Sequence, residues 1–212
     1  MIFLGYDPGG KNAHGVAAIN VAANGSICAP PLCNIVENAE AAWNWLIAHG
    51  PATAVGMDTL LAWSPFGSRA CDNALRRYYG RHGASVIAQN SLYSAMTLNG
   101  AIIAKRFERT GIPQFETHPK LFLRAWAGTH AATDPATQSI LKAYENLRLS
   151  EGTDLPRTAL TDHSADAVIA AWCAAQAYLG HWTVDLYAIP GDKLEPVVRN
   201  ARFPWPERIT AP

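Results

Sequence analysis

The sequence predicts an α/β fold: a mixed sheet of three antiparallel strands followed by parallel strands, with helices on both faces. Two patterns predict it. Apolar runs at residues 2–6, 14–21 and 26–36 are separated by turn signals short enough for hairpins. From residue 38 onward, β-rich runs alternate with helical periodicity, the order that places strands parallel. With 49 % hydrophobic and 16 % charged residues among 212, the chain can bury a full core without disulfides or structural metal. It reads as one domain, 1–212, with a tail from about residue 182.

Each element has a local reason. The run 2–6 stops at Asp7-Pro8-Gly9-Gly10, a turn sequence. His14 to Val21 ends at Asn24-Gly25, a hairpin signal. The third run contains Pro30-Pro31, which belongs at a sheet edge. Asn38 is an N-cap for a helix through Trp43, Leu46 and Ile47. Thr53 to Met57 is β-rich and ends at Asp58; residues 59–68 read as loop, and Ser68 as the cap of a helix to about His82. Leu92 to Phe107 has helical spacing, and Gln114 to Thr117 is a short strand. Pro119 opens a short helix, Asp134-Pro135 caps one to about Leu149, residues 152–157 are loop, and Thr161 to Tyr178 is helical.

Bulk charge narrows the function. Seventeen basic residues balance seventeen acidic ones, whereas dedicated nucleic-acid binders carry a basic excess that neutralises phosphate. Any such contact is therefore brief or local. Cys28, Cys33, Cys71 and Cys173 lack zinc-site spacing and read as reduced, buried thiols. They suit the cytoplasm, as does an N-terminus without a basic, apolar leader. The alanine-rich stretch near 165–180 is too short and polar for a membrane span.

The acidic residues carry the chemistry. Asp7 and Asp58 each follow an apolar strand, so neighbouring parallel strands would bring both carboxylates to one sheet end, where α/β proteins place their sites. In Asp162-His163-Ser164-Ala165-Asp166, the spacings i,i+3 and i,i+4 put Asp162, His163 and Asp166 on one helix face. The surrounding alanines allow that helix to approach the sheet. Asp7 also suits a simple turn, and Asp162 is expected as an N-cap; Asp166, in an apolar helix, needs a partner. Clustered carboxylates repel one another and raise each other's pKa. A divalent cation relieves that, and oxygen ligands suit Mg²⁺ or Mn²⁺.

The element order is that of the ribonuclease-H-like fold. Leu4-Gly5-Tyr6-Asp7-Pro8-Gly9-Gly10 with Gly15-Val16-Ala17, and His163-Ser164-Ala165-Asp166-Ala167, resemble the first hairpin and last catalytic helix of the RuvC Holliday-junction resolvases. Met57-Asp58-Thr59-Leu60, Gly67-Ser68-Arg69-Ala70-Cys71-Asp72 and Glu116-Thr117-His118-Pro119 resemble the predicted nucleases of domain-of-unknown-function family 429. Together these matches span most of residues 2–180. The resemblance implies a metal-dependent nuclease hydrolysing phosphodiester bonds with two ions, leaving a 5′-phosphate and a 3′-hydroxyl. Asp7 would bridge the metals, Asp58 and Asp166 would each bind one, His163 would be ligand or proton carrier, and Glu116 a further acidic group. Resolvases carry Glu where this chain has Asp58. They also dimerise, so a homodimer is open.

Substrate contacts are expected at Arg69, Arg76, Arg77 and Lys105. The stretch Arg76-Arg77-Tyr78-Tyr79-Gly80-Arg81-His82 could hold phosphates and stack bases, although a solvated helix end is the preferred reading. Lys105, Arg106 and Arg109 form a second weak patch with the same preference. Asn90, Ser91, Tyr93 and Ser94 could line a pocket but read first as capping residues; Trp63 and Trp126 could flank a site; His118 reads as a hydrogen-bonded structural histidine. Three rivals stand beside the nuclease: an actin-like or sugar-kinase-type phosphotransferase, which needs two such domains and more glycine-rich loops; a non-catalytic scaffold or regulator; and a phosphatase or nucleotide hydrolase.

Overall fold

In the computed structural model the described residues are 1–10, 13–85, 94–127, 133–150, 160–191 and 193–209. Five strands form the main sheet: β1 (Ile2–Asp7), β2 (His14–Asn20), β3 (Leu32–Val36), β4 (Ala54–Met57) and, after a two-residue β5 (Ala62–Trp63), β6 (Gln114–Glu116). Their order is β3-β2-β1-β4-β6. β1 pairs antiparallel with β2, which pairs antiparallel with β3; β1–β4 and β4–β6 are parallel. This is the mixed α/β sheet read from the sequence. β3 lies at the sheet edge as expected, but it starts at Leu32, so Pro30-Pro31 precede the strand and do not interrupt it. The β1–β2 turn is braced from two sides: Gly9 N–H (3.4 Å) and Tyr6 OH (2.8 Å) both donate to His14 Nδ1, and Asn99 donates to Gly9 O at 3.0 Å.

The helices are α1 (Ala39–Ala48), α2 (Ala70–Tyr79), α3 (Ser94–Thr110), α4 (Pro119–Leu121), α5 (Pro135–Ser150) and α6 (Leu160–Tyr178). A turn of 3₁₀ helix at Gly80–Ser85 follows α2, and a π turn at Phe122–Ala127 follows α4. Two expected caps hold: Asn38 accepts from Ala41 N–H at 2.8 Å, and Asp134 accepts from Ala136 and Thr137 N–H at 3.2 and 3.1 Å. Two do not. Arg69, not Ser68, precedes α2, and it makes no side-chain cap, because a guanidinium has only donors and cannot accept from the helix N–H groups. Asp162 lies exposed inside the first turn of α6, which starts at Leu160, three residues earlier than an N-cap at Asp162 would require. The expected loop 152–157 lies outside the described residues.

Strand alternation sorts the core into two layers. Leu4, Tyr6, Val16, Ala18, Val55 and Met57 pack against α1 and α3. Phe3, Ala17, Ile19, Ala54 and Phe115 face α6. There Trp172, Trp182 and Phe122 form an aromatic cluster with centroids 5.3 to 5.6 Å apart. Trp172 and Gln176 both donate at 2.9 Å to the carbonyl of Gly25, whose φ of +82° makes the expected Asn24-Gly25 turn. That fastens the β2–β3 hairpin to α6.

Helix α6 lies almost backbone to backbone on the sheet. A Cβ on Gly5 would fall 1.8 Å from the Ala167 carbonyl oxygen; on Gly15, 1.9 Å from that of His163; on Gly56, 1.9 Å from that of Ala170. Three glycines on three adjacent strands thus form a trough for one stripe of α6. The tail adds β7 (Val184–Asp185), β8 (Glu195–Pro196) and β9 (Pro204–Trp205), which pair as β5–β8 and β7–β9. Two of the four cysteines, Cys71 and Cys173, are buried; Cys28 is exposed, contrary to expectation. No helix among the described residues is long and apolar enough to cross a membrane.

Candidate metal centre

Asp7 closes β1, Asp58 directly follows β4, and the pairing of Tyr6 with Met57 sets the two side by side. The Asp58 N–H continues the ladder, donating to Tyr6 O at 2.9 Å. Alternation turns both side chains toward α6, on the face of Phe3, Gly5 and Gly56. The glycine trough lowers α6 onto that face and delivers Asp166. Carboxylate oxygens of Asp7, Asp58 and Asp166 all lie within 4.8 Å of one another. Asp7 and Asp166 are buried, and Asp58 is the most open to solvent.

Electrostatics mark this cluster as under-compensated. Burial, followed by repulsion from Asp7, pushes Asp166 up to about 7. Burial also raises Asp7, and raises Asp58 strongly with help from Asp7 and Asp166. His163 contacts Asp7 Oδ2 through Nδ1 at 2.5 Å, and that hydrogen bond holds its imidazole above the ordinary value. Asp166 Oδ2 is buried and accepts no hydrogen bond. Three converging acidic oxygens with a buried lone pair unspent are a donor set for a hard divalent cation, so these residues fit Mg²⁺ or Mn²⁺.

One residue of the site escaped the sequence reading. Lys120, in the first turn of α4, brings its Nζ to 3.4 Å from Asp166 Oδ2. The three carboxylates together hold its ammonium above the usual lysine value, against the opposing effect of burial. The signal was its position just after β6, the next parallel strand beyond β4, whose carboxyl end opens on the same site.

Glu116 is brought close but not into the cluster. It pairs with Met57 across β4–β6 and so belongs to the opposite face from Phe115. Its oxygens accept from Leu61 N–H at 2.7 Å, from Arg69 at 2.6 and 3.0 Å, and from Tyr187 OH. Arg69 is not placed to meet substrate. Buried at 2 % exposure, it spends all five N–H groups on Asp72, Glu116 and the Ala62 carbonyl, between the rings of Tyr187 and Phe203. This is a structural ion-pair network, and the charge buried in it accounts for the Arg69-to-Asp72 pattern in the sequence.

The other candidates are scattered. Arg77 is exposed and Arg76 half-buried on α2. Lys105 pairs with Glu108 at 2.9 Å on α3, and Arg106 with Glu40 at 2.6 Å. His118 directly precedes α4. Trp126 stacks on Phe122 in the aromatic cluster instead of flanking a site, while Trp63 is partly exposed on β5. Asn90, Ser91 and Tyr93, and the side chain of Ser94, lie outside the described residues.

No curated protein and no solved structure matches the chain. One family profile does, described as "Protein of unknown function (DUF429)", over residues 5–193. That span contains Asp7, Asp58, Lys120, His163 and Asp166, and with the match covering most of the chain, the protein belongs to the DUF429 family.

Proposed function

We propose that this protein is a ribonuclease-H-like nuclease that hydrolyses phosphodiester bonds with a bound divalent cation, Mg²⁺ or Mn²⁺. The observation that carries the reading is the convergence of Asp7, Asp58 and Asp166 within 4.8 Å. They come from the carboxyl ends of two adjacent parallel strands and from a helix packed across them. The strand order β3-β2-β1-β4-β6, with an antiparallel half and a parallel half, supports the ribonuclease-H-like assignment.

Asp7, Asp58 and Asp166 would hold the cation. When bound, it supplies Lewis acidity toward a phosphoryl oxygen and makes water a better nucleophile at neutral pH. The chain does the rest. His163 keeps its Nδ1 proton toward Asp7, which orients the ring and leaves Nε2 as its proton-accepting atom. Asp58, the most open of the three, would face the arriving substrate. The glycine trough and the braced Asp7–Gly10 turn hold the carboxylates in place before any ligand binds. Zero net charge suits short-lived contact with nucleic acid.

The test is cleavage of end-labelled single-stranded, duplex and branched DNA and of RNA, in Mg²⁺ or Mn²⁺, by wild type and Asp7→Asn. The expected result is cleavage of at least one substrate that needs the metal and vanishes in the variant. Metal binding without cleavage of any substrate would contradict the nuclease reading and favour a scaffold that kept the fold.

A further inference from the structure

Resting on the metal-binding reading above, we infer that the acidic site takes a single divalent cation, with the Lys120 ammonium standing as its second positive centre. The sequence resemblance implies two ions. The structure puts a side-chain cation against the same carboxylates that would have to hold a second ion.

Lys120 is anchored by its backbone. Pro119 at the first helical position and Leu121 are buried on either side of it, and Phe122 N–H closes the turn onto His118 O at 3.0 Å. Its side chain is 45 % exposed. The ammonium therefore reaches the carboxylates from the β6 side, across the site from His163, which engages Asp7.

The contact does not saturate Asp166. At 3.4 Å the pair attracts electrostatically, yet Asp166 Oδ2 accepts no hydrogen bond. A lone pair thus remains for a metal beside the ammonium. The Thr117 hydroxyl oxygen is also buried without a partner. It lies one residue past the Met57–Glu116 pair, as Asp58 does, and by alternation on the same face. A hydrated ion held by few protein ligands has use for such an oxygen.

Charge decides the number. Three carboxylates and the Lys120 ammonium leave two negative charges at most, and any positive charge on His163, which engages Asp7, leaves fewer. One divalent cation cancels them. A second would leave at least two positive charges on the three carboxylates and the ammonium, in a largely buried site. At 3.4 Å from Asp166, whose oxygen lies within 4.8 Å of those of Asp7 and Asp58, the Lys120 charge acts on the whole set. A fixed ammonium at this position also offers a contact for a substrate phosphate oxygen that needs no metal to recruit it.

The test counts ions. Bound Mn²⁺ is measured by equilibrium dialysis and electron paramagnetic resonance for wild type, Lys120→Arg, Lys120→Met and Asp7→Asn, with thermal melts to verify folding. One ion is expected in wild type and in Lys120→Arg. Lys120→Met should take up a second, with the spin coupling of a Mn²⁺ pair. Two ions in wild type, free or with an oligonucleotide bound, would overturn the inference, as would a single ion in folded Lys120→Met. Absence of any ion in wild type would remove the metal reading itself, which separates the two failures.

Discussion

Replacing Gly5 by alanine adds one methyl group at a buried position of β1, yet it should disable the metal centre. The new Cβ would lie 1.8 Å from the Ala167 carbonyl oxygen and 2.9 Å from the Ala171 nitrogen, where ordinary contact begins near 3.4 Å. Both obstacles are backbone, so no rotamer relieves them. Helix α6 must retreat from β1 by about 1.6 Å. A retreat of that size breaks the 2.5 Å contact between His163 and Asp7 and carries Asp166 out of the 4.8 Å triangle. Overpacking of this kind costs about 1–3 kcal/mol or more. The assay pairs a urea unfolding curve with a Mn²⁺ titration at a urea-free condition where the variant is folded. The expected outcome is a lowered midpoint together with Mn²⁺ affinity reduced by an order of magnitude or more. A folded Gly5→Ala protein with wild-type affinity would refute the claim that helix-to-sheet approach builds the site.

Arg69→Met should destabilise by about 3–5 kcal/mol, because it strands Glu116 and Asp72 as buried charges. Urea midpoints check this, and adding Glu116→Gln and Asp72→Asn should restore part of the loss; an unchanged midpoint would show that the network carries no structural weight. Stability of the metal-free protein should depend on Asp166. Its folded pKa, about 7, exceeds the unfolded value of about 3.9. Its contribution is therefore fully present below about pH 4 and is lost as pH rises through about 7. In EDTA, wild type should lose stability relative to Asp166→Asn over that window, by up to about 1.4 kcal/mol per pH unit. A pH-independent difference between the two would contradict the burial and repulsion assigned to this carboxylate.

Much of the architecture was legible because its signals are local. Asn38, Asp134-Pro135 and Asn24-Gly25 each specify a cap or turn within a few residues, and the structure uses each as expected. Asp7, Asp58 and Asp166 were legible as candidates because a carboxylate at the end of an apolar strand, or inside an alanine helix, demands a partner. What stayed hidden depends on partners distant in sequence. Arg69 and Glu116 are 47 residues apart, and nothing local distinguishes a buried arginine from a surface one. Glu116 was expected as a site acid from the family resemblance, but it sits one residue out of phase with Asp58. Lys120 is a single lysine in a three-residue helix, with no periodicity to mark which way it reaches. The alanine side of the α6 contact was read; its glycine counterpart on three strands required the sheet order.

The central claim is that Asp7, Asp58 and Asp166 form one metal site, and isothermal titration of Mn²⁺ into wild type and Asp7→Asn tests it most directly. Saturable binding to wild type that is lost in the folded variant is the predicted result. Undetectable binding in wild type even with an oligonucleotide present, or equal binding in Asp7→Asn, would contradict the account.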